Sequence, residues 1–340
     1  MEMSRRKAAN AWIGATIISG SPLITISTAE HGHISLRNLA VLMPKLFDVK
    51  QGLHLLSLTW NLERPQFIEK LTVSLREAQT QLPGHLFVVL ANSETEVLHC
   101  SQAGIACIPA NGSIFVNEAE WRPCQPQPGL AGQDAIYVAR LSPMKRHKLA
   151  AAIDRLILVY GPPVDIDAET ALANTKAILP NAHYANHAYG EYAYLDAGTI
   201  GRLVCSANVG LCLSAEEGYM RASIQYLLCG RPLVSTRSLG GRDRYYSLPF
   251  CMVVDDDADA VARGVHELAS RQLDPQRIRT HTAELIAFER HNFLAAVRRM
   301  ATGYFGQQVD ISSFDIFRGA IAEIRPVSEI ARSSSLETDR

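Results

Sequence analysis

Two adjacent carboxylates, Glu216 and Glu217, follow the continuously apolar segment 209–214 and stand directly before a glycine. The pattern predicts a strand over 209–214 and a helix over 221–229. The backbone N–H groups between these elements belong to Gly218, Tyr219 and Met220. Free N–H groups at the positive end of a helix dipole suit a phosphate. A carboxylate beside that anion would be repelled unless it addressed something else, such as sugar hydroxyls. The alternative is an exposed acidic pair in a solvated turn.

Basic residues follow a second apolar segment, AIYVA (135–139). Ligands of open parallel sheets bind beyond the carboxyl ends of the strands. Arg140 and Lys145 could therefore hold a diphosphate there, Arg140 as a fork of donors and Lys145 as a point charge. The alternative is the solvated start of a helix predicted over 146–155. Three further residues are predicted to lie on that solvated face: Arg146, His147 and Lys148.

Other polar residues are candidates for a site in the first half of the chain. His31 and His33 follow a strand-like segment and could act in catalysis, although a solvated loop is the alternative for both. His99 falls on a predicted helix and is interpreted as structural. The remaining candidates are Asn92 and Asn111, which end predicted strands, and His183 and His187, for which hydrogen bonds within their loop are the favoured role.

Strand-like and helix-like segments alternate along most of the chain. Pro65 opens a predicted helix after the strand-like segment 53–59, and Ser93 begins a capping box after the segment 85–91. Continuously apolar strands separated by helices predict parallel sheets covered on both faces. Three prolines and two glycines in 121–134 predict a linker. The pattern therefore predicts an α/β protein with two doubly wound domains.

Composition excludes several classes of protein. The 340 residues include 33 basic and 34 acidic side chains, so no general field would attract nucleic acid. No apolar run approaches the length of a membrane span. The N-terminal residues resemble both a secretory signal and a first buried strand, and the strand is favoured. Seven cysteines without a C-x-x-C pair predict reduced thiols in the cytoplasm, with Cys205, Cys212, Cys229 and Cys251 packed as small hydrophobes.

Three ordered motifs within about residues 85–270 resemble those of retaining GT-B glycosyltransferases of the family-four type. YVARLSPMK (137–145) resembles the family's GRL-x-x-x-K segment. SAEEGYMRASIQYLLCGRPLVST (214–236), with Gly240 and Gly241 after it, resembles the EGFG…GxPVV…GG stretch. IPANGSIFVNEAEWRP (108–123) resembles the passage that closes the N-terminal domain. The pattern EG…ASIQYLLCG…GGRD is most similar to a bacterial subgroup.

The resemblance implies two Rossmann-like, doubly wound domains whose parallel sheets face a cleft. It also implies transfer of a sugar from a nucleotide diphosphate, with retention and without a metal or other cofactor. Arg140 and Lys145 would hold the diphosphate together with the backbone of 218–220, and Glu217 would hydrogen-bond the donor sugar. Gln225 replaces the family's second glutamate, which accepts from the ribose hydroxyls. A neutral amide makes a contact about half as strong as a carboxylate does.

These interpretations give a domain plan and a set of partners. We predict a short N-terminal acceptor domain (1–125), a linker (126–134), a sugar-nucleotide domain (135–310) and a C-terminal segment (311–340), disordered from about residue 327. The predicted acceptor is a sugar, a lipid-linked molecule or another small molecule. Peripheral membrane association stays open. The alternatives are a GT-B sugar-nucleotide epimerase or phosphorylase, and a donor- or partner-binding pseudoenzyme motivated by Gln225.

Overall fold

The computed structural model describes residues 12–13, 15–29, 34, 48–161, 163, 166–188, 191–309, 311, 316–317 and 325–326. His31, His33 and the predicted disordered tail lie outside the described residues. Contacts divide the chain into two compact units, one of Met1–Val116 with Phe288–Arg340 and the other of Asn117–Ala287. These limits differ from the predicted ones. Prolines and glycines indicate a segment without regular secondary structure, but they do not indicate which unit that segment packs against.

The first unit contains a five-stranded sheet whose spatial order follows the chain. Its strands are β1 (Ala15–Gly20), β2 (Leu23–Ala29), β3 (Gly52–Leu58), β4 (His85–Ala91) and β5 (Cys107–Pro109). β1 pairs antiparallel with β2, and the remaining pairs are parallel. Two residues at each end of the described chain, Trp12–Ile13 and Arg325–Pro326, form a separate antiparallel pair.

Two helices cross between strands of this sheet, α1 (Pro65–Gln81) and α2 (Glu94–Gln102). Both begin where the sequence predicts, at Pro65 and after Ser93, whose hydroxyl oxygen accepts the N–H of Glu96 at 3.2 Å. Their apolar faces and the strands form one core. Its largest contributors include Leu56, Leu58, Leu71, Phe87 and Val89, all nearly inaccessible to solvent.

Asn92 and Asn111 are occupied by backbone hydrogen bonds in this unit. The Asn92 side-chain oxygen accepts the N–H of Gly112 at 2.9 Å, and the Asn111 amide donates to the Asn92 carbonyl at 3.1 Å. The buried Glu96 carboxylate accepts the N–H of Asn92 at 2.6 Å and that of Leu62 at 3.0 Å. Burial raises the Glu96 pKa to about 7. The side chains of Asn92, Glu96 and Asn111 therefore fix the loops that follow β4 and β5.

The second unit contains a six-stranded parallel sheet. Its strands are β6 (Gln133–Val138), β7 (Leu156–Val159), β8 (His183–Tyr184), β9 (Ala207–Cys212), β10 (Leu233–Thr236) and β11 (Cys251–Val254). The spatial order is β11-β10-β9-β6-β7-β8. The chain therefore runs outward from β6 on one side, returns to β9 beside β6, and continues outward on the other side. This is the predicted doubly wound arrangement, and α/β architecture with parallel sheets is confirmed.

Five further α-helices lie among the described residues after position 160. They are α3 (Ala168–Ile178), α4 (Ala197–Ser206), α5 (Arg221–Leu228), α6 (Ala258–Ser270) and α7 (Pro275–Phe305). Two short strands, His187–Ala188 and Glu191–Tyr192, pair antiparallel after β8. The sequence motifs did not indicate α7, a 31-residue helix. None of the helices in the described ranges is both long and apolar enough to span a membrane.

A close approach of α5 to β9 depends on a glycine. The aromatic ring of Tyr226 lies where a side chain at Gly210 would stand, 2.2 Å from the position of an added Cβ. The Tyr226 hydroxyl oxygen accepts the N–H of Val138, at the end of β6, at 2.7 Å. Tyr226 therefore connects α5 to the two adjacent strands, and only glycine at position 210 leaves room for it.

We expect Gly210→Ala to destabilise the protein by about 1–3 kcal/mol, because the methyl group overpacks a buried aromatic contact. The matched control is Gly201→Ala within α4, where an added Cβ meets no atom within 4 Å. That substitution should be neutral or stabilise by up to about 1 kcal/mol through helix propensity. Urea denaturation of both variants measures the difference. Equal stability of the two variants would contradict the packing argument.

Candidate functional site

The candidate site lies at the carboxyl ends of β6 and β9, which pair in parallel with Val209 opposite Ala135 and Gly210 opposite Ile136. These strands flank the point where the strand order reverses, and open α/β sheets bind ligands at such points. The loop after β6 carries Arg140 and Lys145, and the loop after β9 carries Glu217. The fold thus brings together the two sequence segments singled out for their chemistry.

The loop after β9 is fixed by backbone hydrogen bonds to the loop after β10. The N–H of Glu217 donates to the Leu239 carbonyl at 3.0 Å, and the N–H of Leu239 donates to the Ala215 carbonyl at 3.0 Å. A further bond at 2.8 Å joins the N–H of Gly241 to the Gly218 carbonyl. Leu239 and Gly241, both after β10, therefore hold the acidic loop in place.

Five successive backbone N–H groups after Glu217, those of residues 218–222, find no acceptor among the described residues. Met220 caps α5 without a side-chain hydrogen bond. The first N–H groups of a helix carry the positive end of its dipole. A stretch of unpaired donors at this end is suited to bind an anion. The role predicted for the backbone of Gly218, Tyr219 and Met220 stays a prediction.

Lys145 and Glu217 form an ion pair between the two loops. The Lys145 and Glu217 side chains are 15% and 8% exposed, respectively. The Tyr137 hydroxyl donates to the Lys145 carbonyl at 2.5 Å and fixes the backbone beneath the ammonium group. The alternative in which Glu217 is a solvated turn residue is wrong, because its carboxylate is largely buried against a cation.

Arg140 and Gln225 differ from this pair because no described residue binds their side chains. Arg140 is exposed just beyond β6, and its guanidinium makes no hydrogen bond or ion pair in the described part of the chain. Gln225 lies in the second turn of α5 and is half-buried. Its backbone carbonyl oxygen accepts the N–H of Cys229 at 2.9 Å, but its side chain binds no described residue. Both side chains are available to a ligand.

Residues 146–155 do not form the predicted helix, and the backbone departs from helical geometry at Arg146. It adopts a left-handed conformation, with φ 51°, between the short 3₁₀ turns Pro143–Lys145 and His147–Ala150. Its guanidinium donates at 2.6 Å to the Leu213 carbonyl, to the Thr236 hydroxyl and to Asp256. The prediction that Arg146 is solvated is wrong, because these bonds across three strand ends outweigh both solvation and the unfavourable φ.

His147 is also buried, whereas Lys148 is exposed as predicted. The His147 ring lies 5.1 Å from the Tyr137 ring, and its Nε2 has no hydrogen-bond partner among the described residues. Burial, with a smaller contribution from the Lys145 charge, lowers the His147 pKa to about 4. The imidazole is therefore neutral near pH 7, and it packs against the Tyr137 ring.

Sequence reasoning noted Arg242 in the GGRD pattern but gave it no role, and its side chain is fully buried. One terminal nitrogen donates to the Cys212 carbonyl at 3.1 Å and to the Ser214 carbonyl at 2.7 Å. The other terminal nitrogen donates to the Thr236 carbonyl, and Nε binds Asp243 at 2.8 Å. Arg242 thus ties the ends of β9 and β10 to each other. Its place directly after a glycine pair was the only sequence signal.

The remaining histidine candidates do not join this cluster. His99 bonds to the Leu62 carbonyl at 3.0 Å from α2, which agrees with a structural role. His183 is exposed on β8, and the Nδ1 of His187 is buried without a partner among the described residues. In their loop it is Asn186 that makes the hydrogen bonds, to the N–H of Tyr160 at 2.7 Å and the carbonyl of Ala193 at 2.9 Å.

Side chains that could form a metal site were sought throughout the described ranges. No group of three or more histidine, cysteine, aspartate or glutamate residues is arranged there to hold a metal ion. The positive charge of the candidate site instead comes from Lys145, Arg140 and the start of α5.

Comparison of this structure with solved structures defines its class: it has the GT-B fold. No protein-family model matches the chain, and no curated protein matches it in sequence. A glycosyltransferase from Rickettsia africae ESF-5 is similar, with a TM-score of 0.51 and 13% identity over 80% of this chain and 82% of that one. A UDP-forming α,α-trehalose-phosphate synthase from Burkholderia xenovorans has a TM-score of 0.51 and 15% identity over 83% and 74%.

We expect Arg242→Lys to destabilise the protein by at least about 2 kcal/mol, because an ammonium group cannot satisfy three carbonyl oxygens in guanidinium geometry. The control is Arg237→Lys on the same loop, where the side chain is exposed, and that change should stay within about 0.5 kcal/mol. Urea denaturation compares the free energies of unfolding. A stable Arg242→Lys variant would show that the carbonyl bonds contribute little.

Proposed function

We propose that this protein is a retaining GT-B glycosyltransferase that transfers the sugar of a nucleoside-diphosphate sugar to an unidentified acceptor. The observation that carries the proposal is the combination of five free N–H groups, a lysine and a buried glutamate at the ends of β6 and β9. The N–H groups and Lys145 would donate hydrogen bonds to a diphosphate, and the Glu217 carboxylate would accept hydrogen bonds from hydroxyl groups beside it. The family resemblance of the same residues supports retention and independence from metal.

The reaction requires that a diphosphate leave as its negative charge grows. Lys145 and Arg140 would stabilise that charge, together with the N–H groups at the start of α5. Preorganised donors of this kind stabilise a transition state because they need no reorientation during the reaction. Their positions are set by Arg146, Arg242 and Tyr137, which hold the surrounding backbone.

Glu217 would orient the donor sugar by accepting its hydroxyl protons in hydrogen bonds. Its ion pair with Lys145 holds the carboxylate in place before the sugar arrives. Gln225, in the second turn of α5, would accept one hydrogen bond from a ribose hydroxyl. The proposal has three further parts. The acceptor would bind residues of the first unit, the donor sugar would be a hexose, and the protein would act in the cytoplasm.

Binding of nucleoside diphosphates tests the proposal directly. A thermal-shift screen with UDP, GDP and ADP should raise the melting temperature with at least one of them, because a ligand of the native state stabilises it. The matching sugar nucleotide should then release its nucleotide in the presence of an acceptor. A protein that none of the three nucleotides stabilises would not be a nucleotide-sugar transferase.

We expect Arg140→Ala and Lys145→Ala each to weaken binding of the preferred nucleoside diphosphate by about 1.5–3 kcal/mol, the value of a charge-assisted hydrogen bond. Lys148→Ala is the matched control, since Lys148 is exposed on the same loop and should leave the affinity unchanged. Calorimetry gives the three affinities. Equal affinities in all three variants, each folded, would remove the diphosphate assignment.

We expect Glu217→Gln to separate binding from transfer. The substitution removes a negative charge beside the anion site and frees Lys145, so the affinity for the nucleoside diphosphate should hold or improve. Sugar transfer should fall about 10–150-fold, the equivalent of one charged hydrogen bond to the sugar. Steady-state transfer rates and calorimetry on the same preparation measure both. Transfer at the parental rate would leave Glu217 with a structural role only.

A further inference from the structure

Three thiols meet where residues 121–127 lie against the end of α4. The Cys124 Sγ is 3.2 Å from the Cys205 Sγ, and the N–H of Cys124 donates to that same sulfur at 3.3 Å. On its other side, the Cys205 Sγ lies 3.9 Å from the Cys229 carbonyl oxygen. Cys205 is therefore the central member of the cluster, and Cys124 is its nearest thiol neighbour.

The backbone on both sides fixes this approach. The N–H of Gln127 donates to the Ser206 hydroxyl at 2.8 Å, and the Arg202 guanidinium donates to the Gln127 side chain at 3.1 Å. Arg231 donates to the Cys205 carbonyl at 2.6 Å. The bonds of neighbouring residues thus hold the chain around Cys124 against the chain around Cys205.

The two thiols differ in accessibility and in acidity. Cys124 is exposed, whereas Cys205 is 2% exposed. Contact with the Cys229 thiol lowers the Cys205 pKa to about 6; burial opposes this, and the Cys124 thiol, the Cys124 N–H and the Arg231 charge support it. Burial and the adjacent Cys205 thiol raise the pKa of Cys124 to about 11. An accessible thiol thus lies against a buried one that favours the thiolate, which is the nucleophilic form.

We propose that Cys124 and Cys205 form a reversible disulfide when the protein meets a small disulfide oxidant such as oxidised glutathione. The Cys124 sulfur attacks the oxidant, its S–S bond breaks, and one glutathione leaves with the Cys124 proton. The Cys205 thiolate then attacks the Cys124 sulfur and displaces the second glutathione, which takes up a proton. Two protein thiols are oxidised, and one glutathione disulfide is reduced to two thiols.

The disulfide would join positions 81 residues apart within the second unit. Cys205 lies one residue from the end of α4, and β9 begins at Ala207. The bond would therefore tie the first segment of the unit to the strand that leads to the Glu217 loop. Cross-links that close long loops stabilise the native state most in the chain-entropy account.

The test treats the full-length protein with oxidised glutathione at pH 8, blocks free thiols with N-ethylmaleimide and maps unreduced peptides by mass spectrometry. We expect a Cys124–Cys205 linked peptide that dithiothreitol abolishes, and a higher melting temperature than for treated Cys124→Ser. In Cys205→Ser, glutathione should remain attached to Cys124 because the resolving thiol is missing. Cys251→Ser, which removes a buried thiol outside the cluster, should form the link normally.

The proposal would be overturned by stable glutathione on Cys124 in the parent protein, by a Cys205–Cys229 link in place of the expected one, or by no reaction of Cys124. Cys124→Ser changes only an exposed position, so it keeps the test valid if Cys205→Ser does not fold. In Cys124→Ser, the Cys205 thiol should remain free after treatment. A Cys205 that is oxidised equally without Cys124 contradicts the pairing.

Discussion

The parallel pairing of β6 with β9 is the constraint on which the candidate site depends. These strands are separated by about seventy residues of sequence and become neighbours only because the strand order reverses at β6. Their pairing places Lys145 against Glu217, although neither residue belongs to a strand. The approach is secured by Tyr226, whose ring covers Gly210 on one strand and whose hydroxyl binds Val138 on the other.

Two buried or half-buried arginines stabilise the same edge of the sheet. Arg242 binds carbonyl oxygens at the ends of β9 and β10, and Arg146 binds groups at or just beyond the ends of β9, β10 and β11. Carbonyl oxygens at strand ends have no partner within the sheet, so a guanidinium with five donors suits them well. Structural arginines therefore surround the residues for which we propose a ligand-binding role. Protein atoms bind the guanidinium groups of Arg146 and Arg242, whereas no described residue binds that of Arg140.

Much of the fold and part of the site could be predicted from the sequence. Apolar runs bounded by caps and prolines located most strands and helices, because those signals are local. The same runs placed Arg140, Lys145 and Glu217 just beyond strand ends. The roles of Arg146 and Arg242 could not be predicted in this way, because both depend on carbonyl groups distant in sequence. The left-handed conformation of Arg146 has no local signal such as glycine, so a helix was expected there.

The Lys145–Glu217 pair has a consequence for selectivity. Each half already satisfies the other, so a simple anion that binds the lysine must leave a largely buried carboxylate without its cation, which is unfavourable. A molecule that brings an anion and, at the right distance, a hydroxyl group can replace both halves together. We therefore expect free phosphate to compete poorly with a ligand that carries both groups, because phosphate bound at Lys145 alone would leave the buried Glu217 carboxylate without a hydrogen-bond donor.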